Sequence, residues 1–355
     1  MKKMWTRWAA AALALAMMAC LCACGNSAIP SAPVDPGANS TANSDDSGSG
    51  TEATYILRLA HEAAGSDHPY QAGAEEFARL VSEKTNGDVK IEVYGAASIG
   101  TQKETAEMCS MGTLDFALVL TSVLAPYDAR WGVTMVPYLF QDMEHCWRVY
   151  DSEVGEEMYG WTDGSGLEVL SVYYNGIGHV ETKKEVKTPD QMKGMKVRLQ
   201  GGVCSEPIAT ALGMTSTAMA MSELYSALQL NTIDGIVQSI NNTMTYNFQT
   251  VAPYYCMNYF WCFGEPLLAS SQTMDSLPEE YQTAIREAAR EAAVWQRAYA
   301  ADFDAASLES LKDNGLIVYE PTEAEMEQWR TALAPVRDAF PEWKEIMDKI
   351  DSCRE

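Results

Sequence analysis

Between Pro278 and Leu311 the chain runs for 34 residues with almost nothing but helix formers, and no other stretch restricts the fold as much. Proline stands in the first turn, and Glu279 and Glu280 follow where the positive end of a helix favours acids. A helix of that length is roughly 50 Å from end to end, well beyond the helix of an ordinary domain. Such a rod either pairs in a coiled coil or lies across more than one lobe of its own chain. Ala292, Ala293, Trp295 and Tyr299 make no a/d seam, and the flanking segments have globular character. The pattern therefore predicts a helix that crosses two lobes.

The rest of the chain alternates between two periods. Residues 55–60 read as a buried strand and 70–86 as a helix, with Phe77, Leu80 and Val81 on one face and Gly87 as its stop. Residues 89–94 read as a strand, 102–111 as a helix and 116–120 as a short apolar strand. The rhythm restarts after Gly166: strand 167–174, a helical turn at 189–193, strand 195–199, helices 205–212 and 222–230, and a short strand around Gly235. Two α/β units in series predict two lobes with a cleft between them, and ligands sit at the carboxyl ends of such strands. The roughly 300 residues beyond Ala53 suffice for both lobes.

A different kind of sequence precedes them. Lys2, Lys3 and Arg7 flank an apolar run from Trp8 to Leu21, too short for a comfortable membrane span and suited to a secretory signal. It ends in Leu21-Cys22-Ala23-Cys24, which resembles the bacterial lipobox. That resemblance makes 1–23 a signal peptide and Cys24 a diacylglyceryl anchor; an ordinary cleaved signal with incidental cysteines is the other reading. Residues 24–53 then form a lipid-anchored tether of Ser, Gly, Pro, Asn and Ala that lacks the apolar surface to offset ordering. Its span is on the order of 30 Å. The expected address is extracytoplasmic, on the outer face of the cell membrane.

The formal net charge of −24 argues against nucleic acid and against simple adhesion to anionic lipid. Any anion site must be a local positive spot in a negative field. Cys109, Cys146, Cys204, Cys256, Cys262 and Cys353 show no CxxC pair and no zinc spacing; Cys256 and Cys262 are placed to pair, but an even count does not establish a disulfide. His61, His68, His145 and His179 are scattered, so neither a metal nor another cofactor is expected. Gly-x-Ser-x-Gly, HExxH and a spaced Cys/His arrangement are all missing, which argues against a tethered enzyme.

Specific strings occur in order along this frame: Leu59-Ala60-His61, Glu83-Lys84-Thr85-Asn86-Gly87, Gly112-Thr113-Leu114-Asp115-Phe116, Val136-Pro137-Tyr138-Leu139-Phe140 and Tyr174-Asn175-Gly176. Then come Lys193-Gly194-Met195-Lys196-Val197-Arg198, Met221-Ser222-Glu223-Leu224-Tyr225, Ile233-Asp234-Gly235 and Ser276-Leu277-Pro278. The series resembles the extracytoplasmic solute receptors of tripartite ATP-independent periplasmic (TRAP) transporters over nearly all of residues 55–350. The resemblance implies a periplasmic-binding-protein-like α/β fold of two lobes crossed by a long kinked helix. Lobe I would comprise 54–175 and 264–303, and lobe II 176–263 and 304–355. It also implies a monomer that closes on a small organic carboxylate and docks on a membrane permease driven by an ion gradient. A ligand-sensing subunit for a membrane signalling protein is the alternative with the same shape.

By that resemblance Arg198 grips the substrate carboxylate, as a planar guanidinium does bidentately; taken alone, an arginine at a strand end is a solvated surface residue. His61 and Gln102 would line the cleft from the first lobe, although His61 also fits a backbone-bonded strand end and Gln102 a helix start. The sequence then departs from the family pattern. Gly178 stands where many relatives carry a second arginine, with His179 the nearest substitute. Leu120 replaces a strand-end acid, Val237 a glutamate, Gln238 an asparagine that contacts substrate, and Met221 an aromatic. Tyr174, with Tyr173, Phe260, Trp261 and Phe263, is available to pack on a ligand or to fill core. One carboxylate clamp kept and one lost predicts a monocarboxylate with an apolar or aromatic body, because a second buried anion without a partner costs several kcal/mol.

Overall fold

The computed structural model describes residues 53–354; the signal, most of the tether and Cys24 lie outside them. Nine strands among the described residues form one sheet: β1 (Tyr55–Ala60), β2 (Val89–Tyr94), β3 (Phe116–Leu118), β4 (Leu167–Thr182), β5 (Lys196–Arg198), β6 (Thr215–Thr217), β7 (Gly235–Gln238), β8 (Tyr254–Ser270) and β9 (Ile317–Tyr319). Their order is β2-β1-β3-β8-β4-β7-β5-β6, with β9 on the side of β8. β1 is parallel to β2 and β3, and β5 is parallel to β6 and β7.

The two parallel sets are joined by the antiparallel ribbon of β4 and β8, of 16 and 17 residues. β3 pairs with the C-terminal end of β8, Phe116 opposite Ala269, while β7 pairs with the C-terminal end of β4, His179 opposite Gln238. The sheet is therefore continuous through both lobes. Two strand expectations are corrected: the strand read as 167–174 continues to Thr182, and β8 had no counterpart in the periodic reading. The ribbon's register shifts between Tyr174, opposite Gly264, and Gly176, opposite Phe263. Gly176 has φ +108°, and a Cβ there would stand 2.4 Å from Ser239 Cβ, so only glycine fits the bend.

The helix formers of the last third make one helix, Glu279–Asp313. Its alanines Ala288, Ala289, Ala292 and Ala293 are buried against the helix Pro69–Lys84 and against β4, in one core with Leu59, Phe77, Phe116 and Leu267. Small side chains let the rod lie close to the sheet. At the register shift it substitutes for the missing ladder. Gln296 Oε1 accepts from Tyr174 N at 2.8 Å, and Gln296 Nε2 donates to Tyr174 O at 2.9 Å. Arg297 donates to Val172 O and reaches Asp151 Oδ2 at 2.6 Å. A second core gathers Trp131, Trp161, Phe263 and Trp329.

Candidate ligand cleft

The carboxyl ends of β1, β3, β5 and β7 carry the candidate residues. His61 and Glu62 follow β1, and Gln102 opens the helix Gln102–Ser110, whose start is fixed by the Thr101/Glu104 capping box. Gln102 Oε1 accepts from Leu120 N at 2.7 Å, and its Nε2 donates to Glu62 Oε1 at 2.5 Å. One amide thus ties the exits of β1 and β3 together. His61 Nε2 meets Gln71 Oε1 at 2.8 Å, while His61 Nδ1 is buried without a partner. Burial lowers the pKa of His61 and takes His68 down to about 4, so both rings are neutral at pH 7.

Arg198 ends β5, between Thr217 and Ile236. Only 7% of it is exposed. Nε and Nη2 donate to the single carbonyl of Met219 at 3.3 and 3.2 Å, and Nη1 has no partner. Burial pushes the guanidinium down to about 10 and the charge of Glu62 opposes the shift, so the group stays cationic. Gln238 ends β7 and is fully buried. Its Oε1 accepts from Ser239 N and Asn242 Nδ2, whereas its Nε2 meets only Met221 Sδ at 3.5 Å, a weak acceptor.

The structure thus groups His61, Glu62 and Gln102 at the exits of β1 and β3, and sets Arg198 and Gln238, with Met221, at those of β5 and β7; the charge of Glu62 is felt at Arg198. Two sequence candidates go elsewhere. Tyr174 and His179 line a cavity of about 150 Å³ with Ile177, Tyr255, Asp304 and Leu308, and Arg198 is not among its walls. His179 Nδ1 accepts from Tyr259 N at 3.2 Å, its ring packs on Tyr255 and Tyr259, and burial takes its pKa to about 3. An imidazole that stays neutral and is held this way cannot replace a guanidinium. Tyr174 donates to Asp304 Oδ2 at 2.6 Å and belongs to the bend of the ribbon. Tyr173, Phe260, Trp261 and Phe263 are buried core. Cys256 and Cys262 are free thiols.

At Gly178 an added Cβ would lie 2.8 Å from the Phe263 ring and 3.3 Å from Val237. The space a longer side chain would enter is filled by an aromatic. Sequence reasoning missed four groups. Glu265 on β8 is fully buried, and its Oε2 accepts from Tyr70 Oη at 2.8 Å and from Asn175 Nδ2 at 3.0 Å. Burial holds its carboxyl well above the usual carboxylate range, and Glu62 adds to the shift. A lone acid in the apolar run 260–270 was the available signal for Glu265, and the string Tyr174-Asn175-Gly176 that for Asn175; Glu62 and Tyr70 offered none.

A sequence profile of the bacterial extracellular solute-binding proteins, family 7 (DctP), matches residues 59–343. The chain belongs to this family. The C4-dicarboxylate-binding periplasmic protein DctP of Rhodobacter capsulatus is 28% identical to it over 81% of the chain and 86% of the relative. The TRAP solute-binding protein of Chromohalobacter salexigens, solved with bound D-glucuronate, superposes with a TM-score of 0.79 at 28% identity, over 84% of the chain and all of the neighbour. That of Polaromonas, bound to D-erythronate, gives 0.80 at 26% identity over 85% and 99%. Family 7 proteins of this kind are TRAP-type receptors and not enzymes. The two-lobed α/β fold of this receptor is theirs.

Proposed function

We propose that this receptor closes its lobes on a small organic acid with one carboxylate and an apolar or aromatic body. Arg198 anchors the acid, and His61, Gln102, Gln238 and Met221 surround it. The observation that carries the reading is Arg198 itself: a buried guanidinium that shares one carbonyl between two of its nitrogens and leaves Nη1 unpaired. A buried donor left so is costly, and a carboxylate satisfies it in the bidentate geometry the fork favours. The ligands named for the relatives, a C4-dicarboxylate, D-glucuronate and D-erythronate, are all organic acids. Phe263 in the space beside Gly178 supports one clamp rather than two.

The lobes in this reading divide at 175/176 and 263/264, beside the register shift of the ribbon. Ligand contact with both lobes shifts an open–closed equilibrium. The closed monomer then delivers its cargo to a TRAP-type permease while Cys24 holds the chain to the outer face of the membrane. A thermal-shift screen of matched mono- and dicarboxylates tests the reading, since a ligand at a hundred times its Kd stabilises by about 2.7 kcal/mol. Monocarboxylates with bulky bodies are expected to raise Tm. A response to dicarboxylates alone refutes the single clamp.

A further inference from the structure

At the bend of the ribbon the helix Met143–Tyr150 lies against β8. Tyr150 Oη would stand 3.2 Å from a Cβ on Gly264, and the Trp147 ring meets the Tyr174 ring edge-on at 5.8 Å. Cys146 precedes Tyr150 by one turn on the same face of that helix, a rise of about 6 Å. Cys262 precedes Gly264 by two residues on the same face of β8, a step of about 7 Å. The spacings match, so the contact of Tyr150 with the strand at Gly264 repeats one rung away between Cys146 and Cys262. Their thiols are hydrogen-bond partners there, Cys146 fully buried and Cys262 half-buried.

The other pairing open to Cys262, with Cys256, is out of reach. Cys262 lies opposite Ile177 and Cys256 opposite Val180. About 10 Å of extended β4 separates those partners, whereas a disulfide needs its Cα atoms within about 7 Å.

We infer that Cys146 and Cys262 are a modification site, at which a small-molecule disulfide exchanges with the pair and leaves a Cys146–Cys262 bond. Outside the cytoplasm such disulfides persist. The half-buried Cys262 sulfur attacks one sulfur of the donor as a thiolate; the donor S–S bond breaks, and its other half leaves and takes up the proton that Cys262 lost. Cys146 Sγ then attacks Cys262 Sγ, its proton passing to the second donor sulfur, which departs. Two protein thiols and one donor disulfide become one protein disulfide and two donor thiols. Burial pushes the Cys146 thiol well above its ordinary range, so Cys146 resolves the mixed disulfide and does not start the exchange. The bond ties the helix to β8 beside the register shift, and it is independent of what the cleft binds.

Peptide mapping by mass spectrometry, without reduction, tests it on the purified receptor after incubation with oxidised glutathione. The expected product is a linked pair of peptides holding Cys146 and Cys262, lighter by two hydrogens and separated again by dithiothreitol. Cys353, half-buried with its thiol on Lys349 O, is the internal control and is expected to remain a glutathione adduct. Cys146→Ser is expected to leave Cys262 as such an adduct too, since nothing resolves it. Cys262→Ser is expected to leave Cys146 a free thiol. The map of the parent protein decides the matter even where a variant fails to fold. Cys262 ending as a glutathione adduct like Cys353, remaining a thiol, or linking to any other cysteine overturns the pair.

Discussion

Arg198 shows how much one side chain carries when burial and connectivity act together. Its hydrogen bonds go to one carbonyl, so removing the side chain orphans little inside the protein, while on the proposed reading the ligand loses its fork. Arg198→Ala is therefore expected to weaken carboxylate binding at least a hundredfold in calorimetry with a modest change in stability. Arg198→Lys is expected to recover only a minor part, since an ammonium is a point charge without the planar pair of donors. Near-normal affinity in Arg198→Ala places the anchor elsewhere. Gly178 makes the complementary point. Phe263 fills its side-chain direction from 2.8 Å away, so Gly178→Ala is expected to cost about 1–3 kcal/mol through overpacking. Phe263→Leu in the same chain should return part of that loss in urea unfolding; an unchanged midpoint for the single variant shows that the ring is free to move.

At the scale of elements, the bend of the ribbon is where the fold depends on partners distant in sequence. Gln296 supplies both an acceptor and a donor to Tyr174 where the register of β4 and β8 shifts. Gln296→Ala leaves two buried backbone groups unpaired and is expected to cost about 2–5 kcal/mol, read from urea unfolding at constant m. A loss under 1 kcal/mol shows that water replaces the amide. The same geometry explains what the sequence could and could not reveal. The helix 205–212, β1, β2 and the long helix are written in local periodicity, and each was legible within a few residues. β8 was not. Its run contains Gly264-Glu265-Pro266 and alternates poorly, and it becomes a strand because β3, β4 and β9 pair along it. The cleft divides likewise. Arg198 and His61 sit in recognisable strings at strand ends, and Gln102 opens a helix. Glu265 is defined by Tyr70, 195 residues away in sequence, and His179 was misplaced because strand pairing alone decides which cavity it enters.

For the whole molecule, the formal charge of −24 counts every acid as ionised, and the fold contradicts that count in its interior. Glu181 is fully buried, accepts from Thr243 Oγ1 at 2.6 Å through Oε2 and leaves Oε1 unpaired; burial pushes its pKa up to about 8. Burial also takes Asp304 to about 6 and holds Glu265 well above the ordinary range. An acid whose pKa is raised in the folded state stabilises the fold while it keeps its proton, and that stability is lost as pH rises through the folded value. The other titrating groups leave a window in which this can be read. Glu76, Asp128 and Glu325 have lowered pKa values and lose their contribution only as pH falls below about 4.5. His61, His68, His145 and His179, also lowered, favour the fold increasingly as pH rises, but only until the unfolded imidazoles have lost their protons, near 6.5. Asp304 has finished by pH 7, and Glu181 titrates across the interval between pH 7 and 8. The ligand-free receptor is expected to lose stability across that interval, with about 1 kcal/mol per pH unit from Glu181. Glu181→Gln keeps a side-chain oxygen for Thr243 and has no proton to lose. Urea unfolding at pH 7 and 8 should show a shallower fall in this variant and a net gain over the parent at pH 8. An identical slope in both proteins shows that Glu181 is ionised in the folded state, and the interior is then more polar than its packing implies.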